Sequence, residues 1–122
     1  MKTLLFVYGT LKRGCSNHRQ MTGLTFVGKA RTQPGFRLYD VGGYPGLVAV
    51  SDERDGVHGE VWAVDDADLE RLDRFEGVAE GLYRREAVPL AAPFNAKTVD
   101  AYVFASGVGG RPMIGSEWRE RR

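Results

Sequence analysis

Short β-prone runs separated by turn residues constrain the fold of this chain more than any other feature. The first run, Thr3 to Tyr8, is continuously apolar, which is typical of a buried strand. Pairs such as Gly42-Gly43 and Asp55-Gly56 separate the runs that follow. The seven predicted strands cover residues 3–8, 24–30, 36–41, 47–51, 57–64, 83–90 and 99–106. Such a series predicts a curved sheet or a small barrel.

One segment, Asp65 to Glu76, has the periodicity of a helix. Leu69, Leu72 and Phe75 recur at helical spacing and form its apolar stripe, and Gly77 follows as a C-terminal stop. An aspartate at its start can cap the first turn. The order of elements therefore predicts an α+β fold, a mainly antiparallel sheet with one packed helix.

Length and charge limit the classes of protein to which this chain can belong. The 122 residues fit a single domain, 1–122, and 17 basic against 16 acidic residues give no electrostatic footprint for nucleic acid or an anionic membrane. A lone cysteine, Cys15, excludes an intramolecular disulfide framework and a cysteine-rich zinc module. We also find no long apolar run, so the sequence predicts a soluble cytoplasmic protein.

Several partial motifs fail on inspection. Gly9 to Gly14 has Walker A spacing, but Cys15 stands where the phosphate-binding lysine belongs. His58 and Glu60 match half of a zinc deaminase signature whose cysteine half is absent. Cys15 and His18 have the spacing of metal ligands or of a nucleophile and its base, although two such residues in a loop more often share only a turn.

Glu76 is the charged residue that stands out. At 100° per residue it lies about 40° from the centre of the apolar stripe, on the core side of the last helical turn. Burial and the helix dipole both disfavour a carboxylate there, so its pKa should be raised, which suits a general base or acid. The alternative is a frayed helix end, where Glu76 reaches solvent or pairs with Arg84 or Arg85.

A second candidate is the segment Tyr8-Gly9-Thr10-Leu11. A buried strand runs directly into a glycine, where the backbone can turn and present successive amides to an anion such as a carboxylate. An ordinary turn between two strands is the alternative interpretation.

Several blocks of the sequence, taken together and in order, resemble one family. They are Val7-Tyr-Gly-Thr-Leu-Lys-Arg-Gly14, Asn17-His-Arg19, Gly43-Tyr-Pro-Gly-Leu-Val48, Gly59-Glu-Val-Trp62, Leu72-Asp-Arg-Phe-Glu-Gly77, Tyr83-Arg-Arg85 and Gly115-Ser-Glu-Trp118. The set is similar to the γ-glutamylcyclotransferase-like (AIG2-like) family, and most similar to its γ-glutamylamine cyclotransferase branch. The resemblance implies a small mixed β-barrel with flanking helices.

The resemblance also implies a reaction and a site. The α-amine of a small γ-glutamyl substrate attacks its own γ-carbonyl, which gives 5-oxoproline and a released amine, amino acid or peptide. Glu76 matches the family's catalytic glutamate, Tyr8 to Leu11 match the loop that binds the γ-glutamyl group largely through backbone amides, and Tyr83 matches a tyrosine lining the pocket. Neither a metal nor another cofactor is expected. The alternative function is a protein on the same fold that binds a small acidic metabolite without turnover.

Overall fold

A single mixed sheet makes up most of the computed structural model, which describes residues 2–120. One α-helix, α1 (Asp66–Phe75), and a short 3-10 helix (His18–Met21) accompany it. The strands are β1 (Thr3–Val7), β2 (Thr25–Arg31), β3 (Phe36–Asp40), β4 (Pro45–Ala49), β5 (His58–Val64), β6 (Tyr83–Ala87), β7 (Asp100–Phe104) and β8 (Met113–Gly115). The α+β class is therefore confirmed, and β8 is a strand that the sequence did not predict.

The sheet does not close, so the predicted barrel is correct only as a loose description. Its strand order is β2-β5-β1-β7-β4-β3-β8, and β6 pairs with β7 away from this path. The end strands β2 and β8 do not pair with each other in the described part of the chain. The path branches at β7 instead of closing, because β6 occupies one edge of β7 along its whole length while β1 and β4 share the other edge.

The sharing of β7 creates a fork between β1 and β4. Both run parallel to β7, β1 beside Asp100 and Ala101 and β4 beside Val103. The side chain of Tyr8, the residue after β1, fills the fork: its hydroxyl donates to the Tyr102 carbonyl at 2.5 Å and accepts from the Leu47 amide at 3.2 Å. The chain leaves the sheet here through residues 8–11, which we call the exit loop.

Helix α1 packs on one face of this sheet. Alternate residues of β1 point to opposite faces, and Leu5 belongs to the same buried cluster as Leu69 and Leu72 of the helix. The Asp65 carboxylate caps the helix by accepting from the Asp68 amide at 2.9 Å. No helix within residues 2–120 is long and apolar enough to cross a membrane.

One residue of the predicted apolar stripe lies elsewhere. The Phe75 side chain is 42% exposed, whereas Leu69 and Leu72 are buried. Phe75 is the last residue of α1, where the helix has passed the edge of the core, and its ring lies beside a cavity. The helix ends at Glu76, its C-cap, and the next residue, Gly77, has a positive φ of 68°. A glycine with positive φ follows the last turn of many helices.

Candidate active site

A cavity of about 220 Å³ opens where the exit loop, the end of α1 and the start of β4 meet. All six residues that the sequence proposed for a site line it: Tyr8, Gly9, Thr10, Leu11, Glu76 and Tyr83. The remaining lining residues are Phe6, Val7, Asn17, Tyr44, Pro45, Phe75, Leu82 and Tyr102. Segments far apart in the sequence are thus brought to one concave site, which is the usual setting of a small-molecule pocket.

Glu76 lines this cavity and is an ionisable group without a partner in the described part of the chain. Burial raises the pKa of its carboxyl from an ordinary 4.5 to about 7. Its carboxylate makes no hydrogen bond or ion pair with the rest of the described chain. The two arginines that the sequence offered as its partners are engaged elsewhere: Arg85 binds Asp73 at 2.8 Å and Asp100 at 2.6 Å, and Arg84 lies 3.5 Å from Glu86. The frayed, ion-paired alternative is not what the chain adopts.

The exit loop keeps several amides available to a ligand. Pairing between β1 and β5 ends at Val7. Beyond it the loop is closed through its carbonyls, since the Gly9 carbonyl accepts from the Lys12 amide at 3.1 Å and the Thr10 carbonyl accepts from the Asn17 amide at 2.9 Å. The amides of residues 9–11 donate to no acceptor in the described part of the chain. Successive amides of this kind can hold a carboxylate or an oxyanion.

Gly9 is needed for a reason that the sequence did not reveal. We expected it to let the backbone turn and approach a ligand, but its φ is not positive. A Cβ at this position would instead lie 2.5 Å from Cγ and 3.2 Å from Cδ of Pro45. Gly9 therefore allows the exit loop to lie directly against the first residue of β4.

Tyr83 also contacts Pro45, the residue against which Gly9 lies. Its buried hydroxyl donates to the Pro45 carbonyl at 2.7 Å, so the residue fixes the cavity wall as well as lining it. Burial, with the nearby charge of Glu76, raises the pKa of Tyr83 well above its usual range. Tyr83 is thus a neutral hydroxyl at physiological pH.

Tyr44, Pro45 and Tyr102 are cavity residues that sequence reasoning did not assign to the site. Tyr44 and Pro45 lay within a block that resembled the family, and this was the one available signal. Tyr102 belongs to a predicted strand, and no pattern marked it. Its hydroxyl donates to Asp73 at 2.7 Å, one helical turn before Glu76, and so ties α1 to β7.

Cys15 and His18 do not line the cavity. His18 instead supports the exit loop, with its Nδ1 atom 2.9 Å from the Leu11 carbonyl. Among the residues that the structure describes, no group of three or more His, Cys, Asp or Glu side chains is placed to hold a metal ion.

Comparison with known proteins agrees with this geometry. Residues 5–120 match the model of the family described as "Gamma-glutamyl cyclotransferase, AIG2-like". A Vibrio cholerae protein provisionally named a gamma-glutamylcyclotransferase is 41% identical over 99% of both chains. Gamma-glutamylaminecyclotransferase A of Danio rerio is 33% identical over 84% of this chain and 68% of its own.

A solved structure extends the likeness to the fold. An AIG2-like protein from Mus musculus superposes with a TM-score of 0.72 at 30% identity, covering 87% of this chain and 78% of the mouse chain. The family match spans the exit loop, helix α1 and Glu76, which are the parts that build the cavity. This chain therefore belongs to the AIG2-like γ-glutamyl cyclotransferase family.

Proposed function

We propose that this chain cyclises the γ-glutamyl group of a γ-glutamylamine, or of a related small γ-glutamyl compound, to 5-oxoproline and releases the amine. One observation carries the proposal: the carboxyl of Glu76, which has no partner within residues 2–120, shares a cavity with the exit-loop amides of residues 9–11, which donate to no acceptor in that range. A proton acceptor and an anion site are the two groups that this cyclisation requires.

Glu76 is the proposed general base and acid. The α-amine of the substrate is an ammonium at neutral pH and cannot attack until it loses a proton. Glu76 takes that proton, and the amine nitrogen forms a bond to the γ-carbon. The bond between the γ-carbon and the leaving nitrogen then breaks as Glu76 returns the proton to that nitrogen, and the regenerated carboxylate takes the second proton from the attacking nitrogen and passes it to solvent. A pKa of about 7 suits both transfers.

The exit loop is the proposed binding element. Its amides hold the charged head of the γ-glutamyl group and stabilise the oxygen that becomes negative at the γ-carbon. Because nucleophile and carbonyl belong to one molecule, much of the rate enhancement comes from holding the substrate folded. Tyr8 and Tyr83 contribute by fixing the walls of the cavity. The Tyr8 hydroxyl is hydrogen-bonded to the backbone of Tyr102 and Leu47. The Tyr83 hydroxyl is hydrogen-bonded to the carbonyl of Pro45.

The cavity lining favours a leaving amine without a carboxylate of its own. No lysine or arginine within residues 2–120 lines it. Phe75 and Leu82, which are 42% and 37% exposed, instead give it apolar surface open to solvent. A second carboxylate there would lose its hydration without gaining a cation, which costs free energy.

The pKa of Glu76 predicts how activity and stability depend on pH. Activity should fall as the pH drops through about 7, since protonated Glu76 cannot accept a proton. The unfolded chain ionises this carboxyl near pH 4.5 and the native chain near 7, so stability should decrease as the pH rises between these values. Above pH 7 the full penalty for the buried charge applies.

The variant Glu76→Gln should remove this penalty. We would measure the free energy of unfolding of both proteins by chemical denaturation at pH 5 and at pH 8. The difference, variant minus wild type, should be larger at pH 8 than at pH 5, by up to about 3 kcal/mol. An equal difference between the two proteins at both pH values would contradict a buried, uncharged Glu76 and weaken its assignment as the base.

A screen of γ-glutamyl compounds tests the proposed function directly. We expect release of 5-oxoproline from γ-glutamyl alkylamines, with slower release from γ-glutamyl amino acids and glutathione. The alternative function, a binding protein for a small acidic metabolite, predicts saturable binding of glutamate or 5-oxoproline with no turnover of any compound. That outcome would replace the enzyme assignment.

A further inference from the structure

Glu60 lies outside the cavity, and its carboxylate is unusually deeply buried. The residue is 7% exposed, and no other charged residue in the described ranges is buried to the same extent. A carboxylate taken this far from water needs hydrogen-bond donors around it. Glu60 belongs to β5 and is absent from the residues that line the cavity.

The donors around Glu60 come mostly from the segment that follows the exit loop. Its Oε1 atom accepts from the backbone amide of Arg13 at 3.1 Å, and its Oε2 atom accepts from Nε of the same arginine at 3.1 Å. The Arg13 guanidinium also lies 3.7 Å above the centre of the Phe26 ring of β2. One residue of the loop is thus held at both its backbone and its side chain.

A second connection returns to the exit loop by another route. Oε1 of Glu60 also accepts from Nε1 of Trp62 at 3.1 Å. The Trp62 ring packs against the ring of His18, with 5.4 Å between the ring centres. Nδ1 of His18 lies 2.9 Å from the Leu11 carbonyl. Glu60 therefore accepts directly from Arg13, two residues after the exit loop, and is connected to Leu11 within the loop through Trp62 and His18.

We propose that Glu60 is a positioning residue for the cyclisation, which fixes the amides of residues 9–11 from outside the cavity. This inference rests on the proposed function for its catalytic consequence, but the mechanical part stands on the contacts alone. The loop between β1 and the 3-10 helix contains Gly9 and Gly14 and pairs with no strand of residues 2–120, so its geometry depends on such anchors. Lys12 is anchored to the Trp118 carbonyl at 2.8 Å and Ser16 to the Glu120 carboxylate at 2.8 Å, and Glu60 supplies the anchor at Arg13 through a buried side chain.

The test compares Glu60→Gln with a matched control, Glu53→Gln. Glutamine at 60 keeps an acceptor for the Arg13 amide and for Trp62, but it places a donor against Nε of Arg13. Glu53 has a similar set of donors, Arg37 at 2.7 Å and two backbone amides, but it is less buried and lies away from the cavity. Both variants lose one carboxylate–guanidinium contact, and only one of them is connected to the exit loop.

We expect Glu60→Gln to raise KM about tenfold with a smaller change in kcat, and to leave the acid limb of the pH–rate profile near pH 7. Glu53→Gln should keep both constants. If Glu60→Gln folds poorly, Arg13→Met removes the same contact from a side chain that is 45% exposed and should raise KM similarly. Equal kinetics for the 60 and 53 variants would overturn the inference, and so would a shifted acid limb, since Glu76 would then be the affected group.

Hydrogen exchange of the free protein separates this inference from the proposed function. The amides of Lys12 and Asn17 close the loop through the Gly9 and Thr10 carbonyls. They should exchange at least about tenfold faster in Glu60→Gln than in the wild type or in Glu53→Gln, while the β1 amides stay protected. Unchanged loop exchange would overturn the positioning role whether or not the protein is active. If the loop amides exchange faster in Glu60→Gln but the wild type turns over no γ-glutamyl compound, the positioning role stands and the proposed function is overturned.

Discussion

Replacing Glu76 with glutamine should lower turnover of a γ-glutamyl substrate by about 10²-fold or more, with the fold and substrate binding retained. Glutamine has nearly the same shape as glutamate but cannot take a proton from the substrate ammonium. Because the native carboxylate makes no hydrogen bond or ion pair with the described chain, its loss breaks no structural contact. The measurement is steady-state release of 5-oxoproline, together with circular dichroism and a binding titration with 5-oxoproline.

Glu70→Gln is the matched control for this prediction. Glu70 lies on the same helix, but its side chain is 77% exposed and pairs with the exposed Arg74, at 3.2 Å. Such an exposed pair contributes little to stability, and we expect wild-type turnover from the control. A Glu76→Gln protein with near-normal turnover would remove Glu76 from the mechanism and leave the cavity as a binding site.

The position of Glu76 could be predicted because helical periodicity is local. Two leucines, Leu69 and Leu72, define the buried face of α1, and both are buried as expected. Their phase places Glu76 on the core side at the end of the helix, although periodicity alone left a frayed helix end as the alternative. The same reasoning failed for Phe75, since the periodicity of a helix does not reveal where the core beneath it ends. The end of the core depends on the sheet, and therefore on the whole chain.

The rest of the site depends on strand topology, which periodicity cannot give. Pro45 reaches the cavity because β1 and β4 share one edge of β7, and the paired residues, Leu5 with Asp100 and Leu47 with Val103, are 95 and 56 positions apart. Strand β8 was missed because it is three residues long and lies in a glycine-rich stretch. The open sheet follows from the same fork, which strand counting alone cannot distinguish from a closed barrel.

The fork also gives the second large prediction, Gly9→Ala, which should reduce turnover by about 10²-fold. The added methyl group would lie 2.5 Å from Cγ of Pro45. Pro45 cannot move away freely, because it is buried in β4 and its carbonyl accepts from Tyr83. The exit loop must therefore shift, and a displacement of about 1 Å is enough to cost such a factor when binding groups are misplaced. Steady-state release of 5-oxoproline measures the effect.

The pair Gly9 and Pro45 allows this explanation to be tested by rescue. Pro45→Ala removes the two ring atoms that would collide and leaves only Cβ, 3.9 Å from the new methyl group, which is an ordinary contact. The double variant should therefore be more active and more stable than Gly9→Ala alone, a favourable coupling between neighbouring sites. Gly107→Ala is the control, since a Cβ there meets nothing within 4 Å. Additive losses in the double variant would show that Gly9 is required by the ligand or by the turn itself, and not by the contact with Pro45.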